Sequence, residues 1–290
     1  MSMSGLPEKI GRYQILERVG RGGMGVLYRA FDPVLDREVA VKVMLADFSD
    51  DTEQMRPRFY REAKAAAKLQ HRNIVTVFEF AEENNQPHIV MEFLRGSPLN
   101  SRMTELPPLA LPDKLDIVAQ LCSGLGYAHT QGVVHRDVKP ANMMYHLETD
   151  SLKVTDFGIA RLTDSSKTKT GMVLGTPSFM SPEQLAGKKI EGRSDLFSLA
   201  VSLYQLLSGK LPFEGESMAQ LMFKIASEPP TDILAVNPSV PPGLVAFLER
   251  ALAKNPDDRY QTGAEFAAAL RAAVSEAPAM AAAGGVDIEL

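Results

Sequence analysis

The octet His135-Arg136-Asp137-Val138-Lys139-Pro140-Ala141-Asn142 follows the apolar pair Val133-Val134, so it is a loop leaving a buried segment. Its residue types suit a reaction centre. The Asp137 carboxylate can accept a proton or orient a hydroxyl, and the Asn142 side chain offers a neutral oxygen to a metal ion. An isolated His-Arg-Asp is also what a surface turn with an ion pair looks like; the full octet argues against that. Downstream, Asp156-Phe157-Gly158 follows the strand-like Leu152-Lys153-Val154-Thr155. A carboxylate at a strand end can hold magnesium together with phosphate oxygens. Asp-x-Gly alone is an ordinary turn. Its weight comes from its spacing to Asn142, which leaves room for a hairpin that brings the two candidate metal ligands together.

Upstream lies Gly20-Arg21-Gly22-Gly23-Met24-Gly25. Glycines let backbone N–H groups approach phosphate oxygens closely. A dinucleotide-binding reading needs a helix directly after such a loop. Val26-Leu27-Tyr28-Arg29 is instead strand-like, so the loop closes a hairpin, which a plain glycine-rich turn would also explain. In Val39-Ala40-Val41-Lys42 a lysine sits inside an apolar strand, where burial is costly unless an anion pairs with it. An edge lysine facing water is the plain alternative. Glu62, in the charged helical stretch of about residues 58–69, is a natural partner.

Around these motifs the chain changes character. Ile15, Val19, Leu27 and Tyr28 flank the glycines, Val39, Val41 and Val43 alternate with Ala40 and Lys42, and strand-like runs cover 75–80 and 88–93. After a short hinge near Glu92 to Gly96, helical periodicity dominates in 115–129, 194–207, 217–226, 244–253 and 264–274. Residues 1–12 read as a loose tail and 274–290 as an Ala/Gly-rich flexible tail. The 290 residues are 45% hydrophobic and 23% charged with a formal net charge of −5, so no nucleic-acid partner is expected. Cys122 is the single cysteine, in an apolar helical pattern, which fits a buried thiol in a reducing compartment. The apolar run 196–207 is too short to span a bilayer, and no signal peptide is visible, so a cytoplasmic location without a membrane segment is expected.

Taken in order, these motifs resemble the eukaryotic-type (Hanks-type) protein kinase family, and most closely its bacterial serine/threonine members, over about residues 13–273. The resemblance implies an α+β, bilobal protein-kinase-like fold, with a β-rich N-lobe over 13–94 and a helical C-lobe over 95–273. It implies ATP and Mg2+ as cofactors, with Mn2+ as a substitute, and protein Ser/Thr hydroxyls as acceptors. By position, Val19 and Gly20, Arg21, Gly22, Gly23, Met24 and Gly25 would cover the ATP phosphates. Lys42 would hold phosphates and pair with Glu62. Asp137 would be the catalytic base, Lys139 would stabilise the γ-phosphate, and Asn142 and Asp156 would hold magnesium. Leu27, Ala40, Met144 and the hinge Met91-Glu92-Phe93-Leu94 would enclose adenine. Further on, Gly175-Thr176-Pro177 and Ser181-Pro182-Glu183 look like the end of an activation segment. Glu183 would pair with Arg259 in a structural ion pair, Asp195 would hold the catalytic-loop backbone, and Lys139 with Thr176 argues for serine/threonine over tyrosine substrates.

Between Asp156 and Thr176, residues 163–170 are dense in hydroxyls and poor in apolar side chains. A phosphate on Thr168 or Thr170 could join the cations Arg136 and Arg161 and order this loop, a modification that a transient homodimer would make in trans. Three departures from the family pattern stand out: Leu27 for valine, Phe179 for tyrosine, and Ala66 where a larger apolar side chain often braces the helix carrying Glu62. None removes a catalytic group, which weighs against a non-catalytic scaffold. The Gly-Thr-Pro and Ser-Pro-Glu segment weighs against a small-molecule phosphotransferase.

Overall fold

The computed structural model describes residues 6–22, 25–44, 64–83, 86–105, 107–146, 148–157 and 177–275. The β-branched alternation in the first part produces the expected strands. β1 (Lys9–Ile10), β2 (Tyr13–Gly22), β3 (Gly25–Asp32), β4 (Arg37–Met44), β5 (Val77–Glu83) and β6 (Gln86–Glu92) form one six-stranded antiparallel sheet in the order β1-β2-β3-β4-β6-β5. Val39, Val41 and Val43 lie on one face of β4, packed with Tyr13, Ala30 and Val90. Ala40 lies on the other, with Val75, Ile89 and Met91. Both faces of this central strand are therefore covered, which is why its sequence is nearly continuously apolar.

The glycine run joins β2 to β3, with Gly22 paired to Gly25. It is the tip of an antiparallel hairpin, and no helix follows it, so the dinucleotide-binding alternative falls. Gly25 is also a position of close approach: a Cβ there would clash with the Val43 carbonyl oxygen.

Residues 1–12 are not wholly a tail. Lys9 and Ile10 pair with Gln14 and Tyr13, the turn between them being made by Gly11 at φ +56°. The Gly11 N–H donates to the Glu83 carboxylate at 2.6 Å, and Arg12 pairs with the buried Asp32 at 3.2 Å. These partners lie far along the chain, so a local composition of polar residues gave no sign of them.

The second part is helical. α1 (Leu111–Thr130), α3 (Gly192–Ser208), α4 (Met218–Ser227), α5 (Gly243–Ala251) and α6 (Gly263–Ser275) match the expected segments within a few residues, and the short α2 (Pro182–Leu185) is not among them. α3 is buried on nearly every side, from Ser194 to Leu207, and forms the centre of the larger core. Its left-handed C-cap is Gly209, whose N–H donates to the Gln205 carbonyl at 2.8 Å. α6 crosses α1 so closely that a Cβ on Gly263 would meet the Cys122 carbonyl at 2.6 Å. Cys122 is buried, and burial pushes its thiol up to about 12, so it stays neutral. α6 takes in Val274 and Ser275, and the rest of the expected tail lies outside the described residues.

A second small sheet, β7 (Ser97–Pro98), β8 (Met143–His146) and β9 (Ser151–Val154), sits after the hinge. It ties the two parts together, because Val75 donates to the Val154 carbonyl at 3.0 Å and Val154 donates to the Asn73 carbonyl at 2.9 Å. No helix among the described residues is long and apolar enough to cross a membrane.

Candidate active site

The catalytic octet is held from α3. Asp195, 1% exposed, accepts the His135 N–H at 2.8 Å on Oδ2 and the Arg136 N–H at 2.7 Å on Oδ1, and its Oδ2 also meets His129 Nε2 at 2.8 Å. This clamp fixes Arg136 at φ +67°, a left-handed conformation that a side chain adopts only when its surroundings impose it. His135 is buried, meets the Thr155 carbonyl through Nε2 at 2.8 Å and packs on Phe157 with ring centroids 4.7 Å apart.

Asp137 follows. Its carboxylate receives Lys139 Nζ at 2.8 Å and Asn142 Nδ2 at 2.9 Å. Asn142 Nδ2 also donates to the Asp137 carbonyl at 2.8 Å. With the amide nitrogen committed to Asp137, the side-chain oxygen of Asn142 is the atom left for a cation. The Asn142 carbonyl accepts the N–H of Thr155 at 2.9 Å and its hydroxyl at 3.1 Å, and Asp156 is the next residue. The β8–β9 hairpin expected from the spacing therefore does bring the two candidate ligands side by side. Asp156 stands at φ +60°, the second strained non-glycine residue of the site.

From the sheet side, Lys42 on β4 places Nζ 2.6 Å from Asp156 Oδ1. Direct bonds thus run from Lys139 and Asn142 to Asp137, and from Asn142 through Thr155 to Asp156 and Lys42. Leu27, Ala40, Met91, Phe93 and Leu94 share one apolar cluster beside Lys42. Met144 is not in it; it lines a recess of about 280 Å³ with Phe93, Leu94 and Gly96. Glu92, expected only as a hinge residue, also accepts the Thr76 N–H at 2.7 Å and Lys153 Nζ at 2.6 Å, which pins the hinge to both parts. Val19, Gly20, Arg21 and Gly22 are exposed along the hairpin, and a Cβ on Gly20 or Gly22 would meet nothing within 4 Å.

Glu183 and Arg259 form the expected buried pair. Arg259 Nη1 and Nη2 reach the two carboxylate oxygens at 2.8 and 2.9 Å, and the remaining guanidinium N–H groups go to the carbonyls of Ala253, Arg193 and Lys254. Burial pushes the Glu183 carboxyl up, but the hydrogen bonds from Arg259 and Ser194 overcome it and bring it down to about 2. Next to it, Gln184 donates to the Arg136 carbonyl at 2.9 Å, a contact whose only trace in the sequence is adjacency to Ser-Pro-Glu. Glu62, Gly23, Met24, Gly158, Arg161, Thr168, Thr170 and Thr176 lie outside the described residues.

A β-sheet lobe and a helical lobe that join two lysines, two aspartates and an asparagine in one bonded chain define a protein of the kinase class. Comparison with known proteins agrees: the chain belongs to the protein kinase domain family, whose model matches residues 13–270. It is 40% identical over 264 residues to the serine/threonine-protein kinase PrkC of Bacillus subtilis, covering 91% of this chain and 40% of PrkC. It is 41% identical over 266 residues to the serine/threonine-protein kinase PknB of Mycolicibacterium smegmatis, covering 89% and 42%. The chain thus spans about two fifths of the length of these relatives. A crystal structure of Rad53 1-466 in complex with AMP-PNP superposes with a TM-score of 0.74 at 24% identity, over 88% of this chain and 64% of that one, which establishes the mixed α+β bilobal fold.

Proposed function

We propose that this chain is a serine/threonine protein kinase that uses ATP and magnesium to phosphorylate protein hydroxyls. The observation that carries the reading is the bonded sequence of groups from Lys139 and Asp137 through Asn142 to Asp156 and Lys42. The donor set fits the cofactor. Among the described residues no group of three or more His, Cys, Asp or Glu gathers as a metal site, and Mg2+ in such a centre needs only one or two protein oxygens beside phosphate. Asp156 and the side-chain oxygen of Asn142 would supply them. The exposed Val19 to Gly22 of the hairpin would cover a triphosphate with backbone N–H groups, and Lys42 would hold its oxygens, in partnership with Glu62. When bound, the metal neutralises charge on the transferring phosphoryl group.

The chain's own groups position the acceptor. Asp137 takes the proton of the substrate hydroxyl as its oxygen bonds to the γ-phosphorus and the bond to the β-phosphate oxygen breaks, leaving ADP. Lys139 balances charge beside it. Leu27, Ala40, Met91, Phe93 and Leu94 would hold adenine, with Met144 beneath. Phosphorylation of Thr168 or Thr170 in trans would order the segment toward Arg136 and Arg161.

The test is transfer of label from γ-labelled ATP to a peptide array and to the chain itself, for wild type and Asp137→Asn, with and without chelator. Label on Ser/Thr peptides, lost in Asp137→Asn and with chelator, is expected. Equal label in both proteins, or transfer only to small molecules, would overturn the reading.

A further inference from the structure

The peptide plane between Arg136 and Asp137 is pinned at both polar ends. Its N–H, on Asp137, donates to His135 Nδ1 at 3.2 Å, and its C=O, on Arg136, accepts from Gln184 Nε2 at 2.9 Å. Asp195 holds only the N-terminal side of Arg136. Gln184 is thus the side chain that holds the carbonyl end of the plane leading into the Asp137 α-carbon, opposite His135 at the N–H end and next to a residue at φ +67°.

Gln184 is itself fixed. It is 7% exposed, and its Oε1 accepts the Ser181 N–H at 2.9 Å and the Ser181 hydroxyl at 3.2 Å. A flipped amide would set the Nε2 donors against the Ser181 N–H and an oxygen against the Arg136 carbonyl, so the network allows one orientation. The neighbouring Glu183 is bolted to Arg259. Ser181 caps α2 and Gln184 lies within it, so the link runs from α2 to the backbone under Asp137.

We infer that Gln184 is a positioning residue that aims Asp137, and that it makes the setting of Asp137 depend on the docking of residues 177–184. The inference rests on the assignment of Asp137 as proton acceptor. It differs from the Asp195 clamp, because it acts on the carbonyl side and originates in α2 rather than in α3.

Two variants of the whole chain test it. Gln184→Met keeps the volume and removes both functions. Gln184→Glu keeps the acceptor for Ser181 but puts a carboxylate against the Arg136 carbonyl, and regains a donor only when protonated. Burial raises the pKa of such a carboxyl. For Gln184→Met, kcat is expected to fall about tenfold, with the KM for ATP changed less than about twofold. For Gln184→Glu, kcat relative to wild type should recover as pH falls from about 8 to 5.5. In both variants at neutral pH the amides of residues 135–138 should exchange with deuterium faster than in wild type. A flat kcat ratio across pH, or unchanged exchange at 135–138, would overturn the inference. An inactive wild type would overturn the kinase assignment instead, and the exchange measurement would still decide the positional one.

Discussion

Lys42 Nζ lies 2.6 Å from Asp156 Oδ1, joining a strand of the β-rich lobe to the end of β9 across 114 positions of sequence. The lysine is largely buried, at 17% side-chain exposure, and the aspartate is its anion. The costly interior lysine of Val39-Ala40-Val41-Lys42 is thereby explained: its charge is compensated across the cleft and can be shared with phosphate oxygens.

Replacing it separates catalysis from folding. Lys42→Met should lower phosphoryl transfer at least about 100-fold while leaving the thermal midpoint within a few degrees. Lys42→Arg should rescue little, because a planar guanidinium does not reproduce a point charge in this space. Steady-state kinetics alongside calorimetry check it; a Lys42→Met protein with half of wild-type activity would contradict the arrangement.

Asp195 makes a second separable prediction. Its oxygens face two backbone N–H donors and His129 Nε2. Asp195→Asn turns one acceptor into a donor aimed at donors, which should cost about 1–3 kcal/mol of stability and release Arg136 from its left-handed conformation. Urea unfolding and kcat should both drop. A variant that loses stability and keeps kcat would show that the loop holds its shape without the clamp.

What the sequence disclosed follows a physical divide. Periodicity revealed β4 because Val39, Val41 and Val43 share a face, and it revealed α3 because its apolar residues from Leu196 to Leu207 recur at helical spacing between Ser198, Ser202 and Gln205. Motif order revealed Lys42, Asp137, Asn142 and Asp156, which the fold does join. The strand at Lys9–Ile10, the double use of Glu92 and the reach of Gln184 to Arg136 stayed hidden. The strand is only two residues long, too short to show an alternation, and the other two depend on polar side chains whose partners are distant in sequence; a lone glutamine or glutamate carries no local pattern that distinguishes a solvated side chain from a clamp.

The Glu183–Arg259 pair predicts a pH effect. The folded carboxyl sits at about 2, below its ordinary 4.5. A depressed acid favours folding above its unfolded value, so this contribution is complete above about pH 4.5 and is lost as pH falls toward 2. It amounts to roughly 3 kcal/mol, from about 1.4 kcal/mol for each pH unit of the difference. Arg259→Met alone leaves the carboxylate buried and should cost about 3–5 kcal/mol, whereas Arg259→Met with Glu183→Leu should recover much of that loss. Chemical denaturation of the three proteins between about pH 3 and 7 checks both statements; a wild type whose stability is level from pH 5 to 3 would refute the first.

The threonine-rich stretch carries a prediction from sequence. After incubation with ATP, the intact mass should rise by one or two phosphates located at Thr168 and Thr170, and the Thr168→Ala, Thr170→Ala double variant should be several-fold less active. Phosphate found only elsewhere, or full activity in the double variant, would remove these residues from regulation.

Ala66 is buried at 5% exposure beside a recess of about 20 Å³, whose walls include Met44, Ile74, Val77, Met91 and Phe157. A small residue faces an unfilled space at the position where the resemblance implies a larger apolar one. Filling such a space adds contacts that the surrounding atoms now lack. Ala66→Met suits it, because methionine is a good helix former and its unbranched side chain adapts to irregular gaps. The variant should be more stable by about 0.5–2 kcal/mol, raising the thermal midpoint by a few degrees. Since Lys42, Asp156 and Phe157 border the same space, tighter packing should also hold the Lys42–Asp156 pair more firmly and raise basal transfer by a factor of about two to five. A lowered midpoint would mean that the walls already close the gap and that Ala66 is there to avoid a clash.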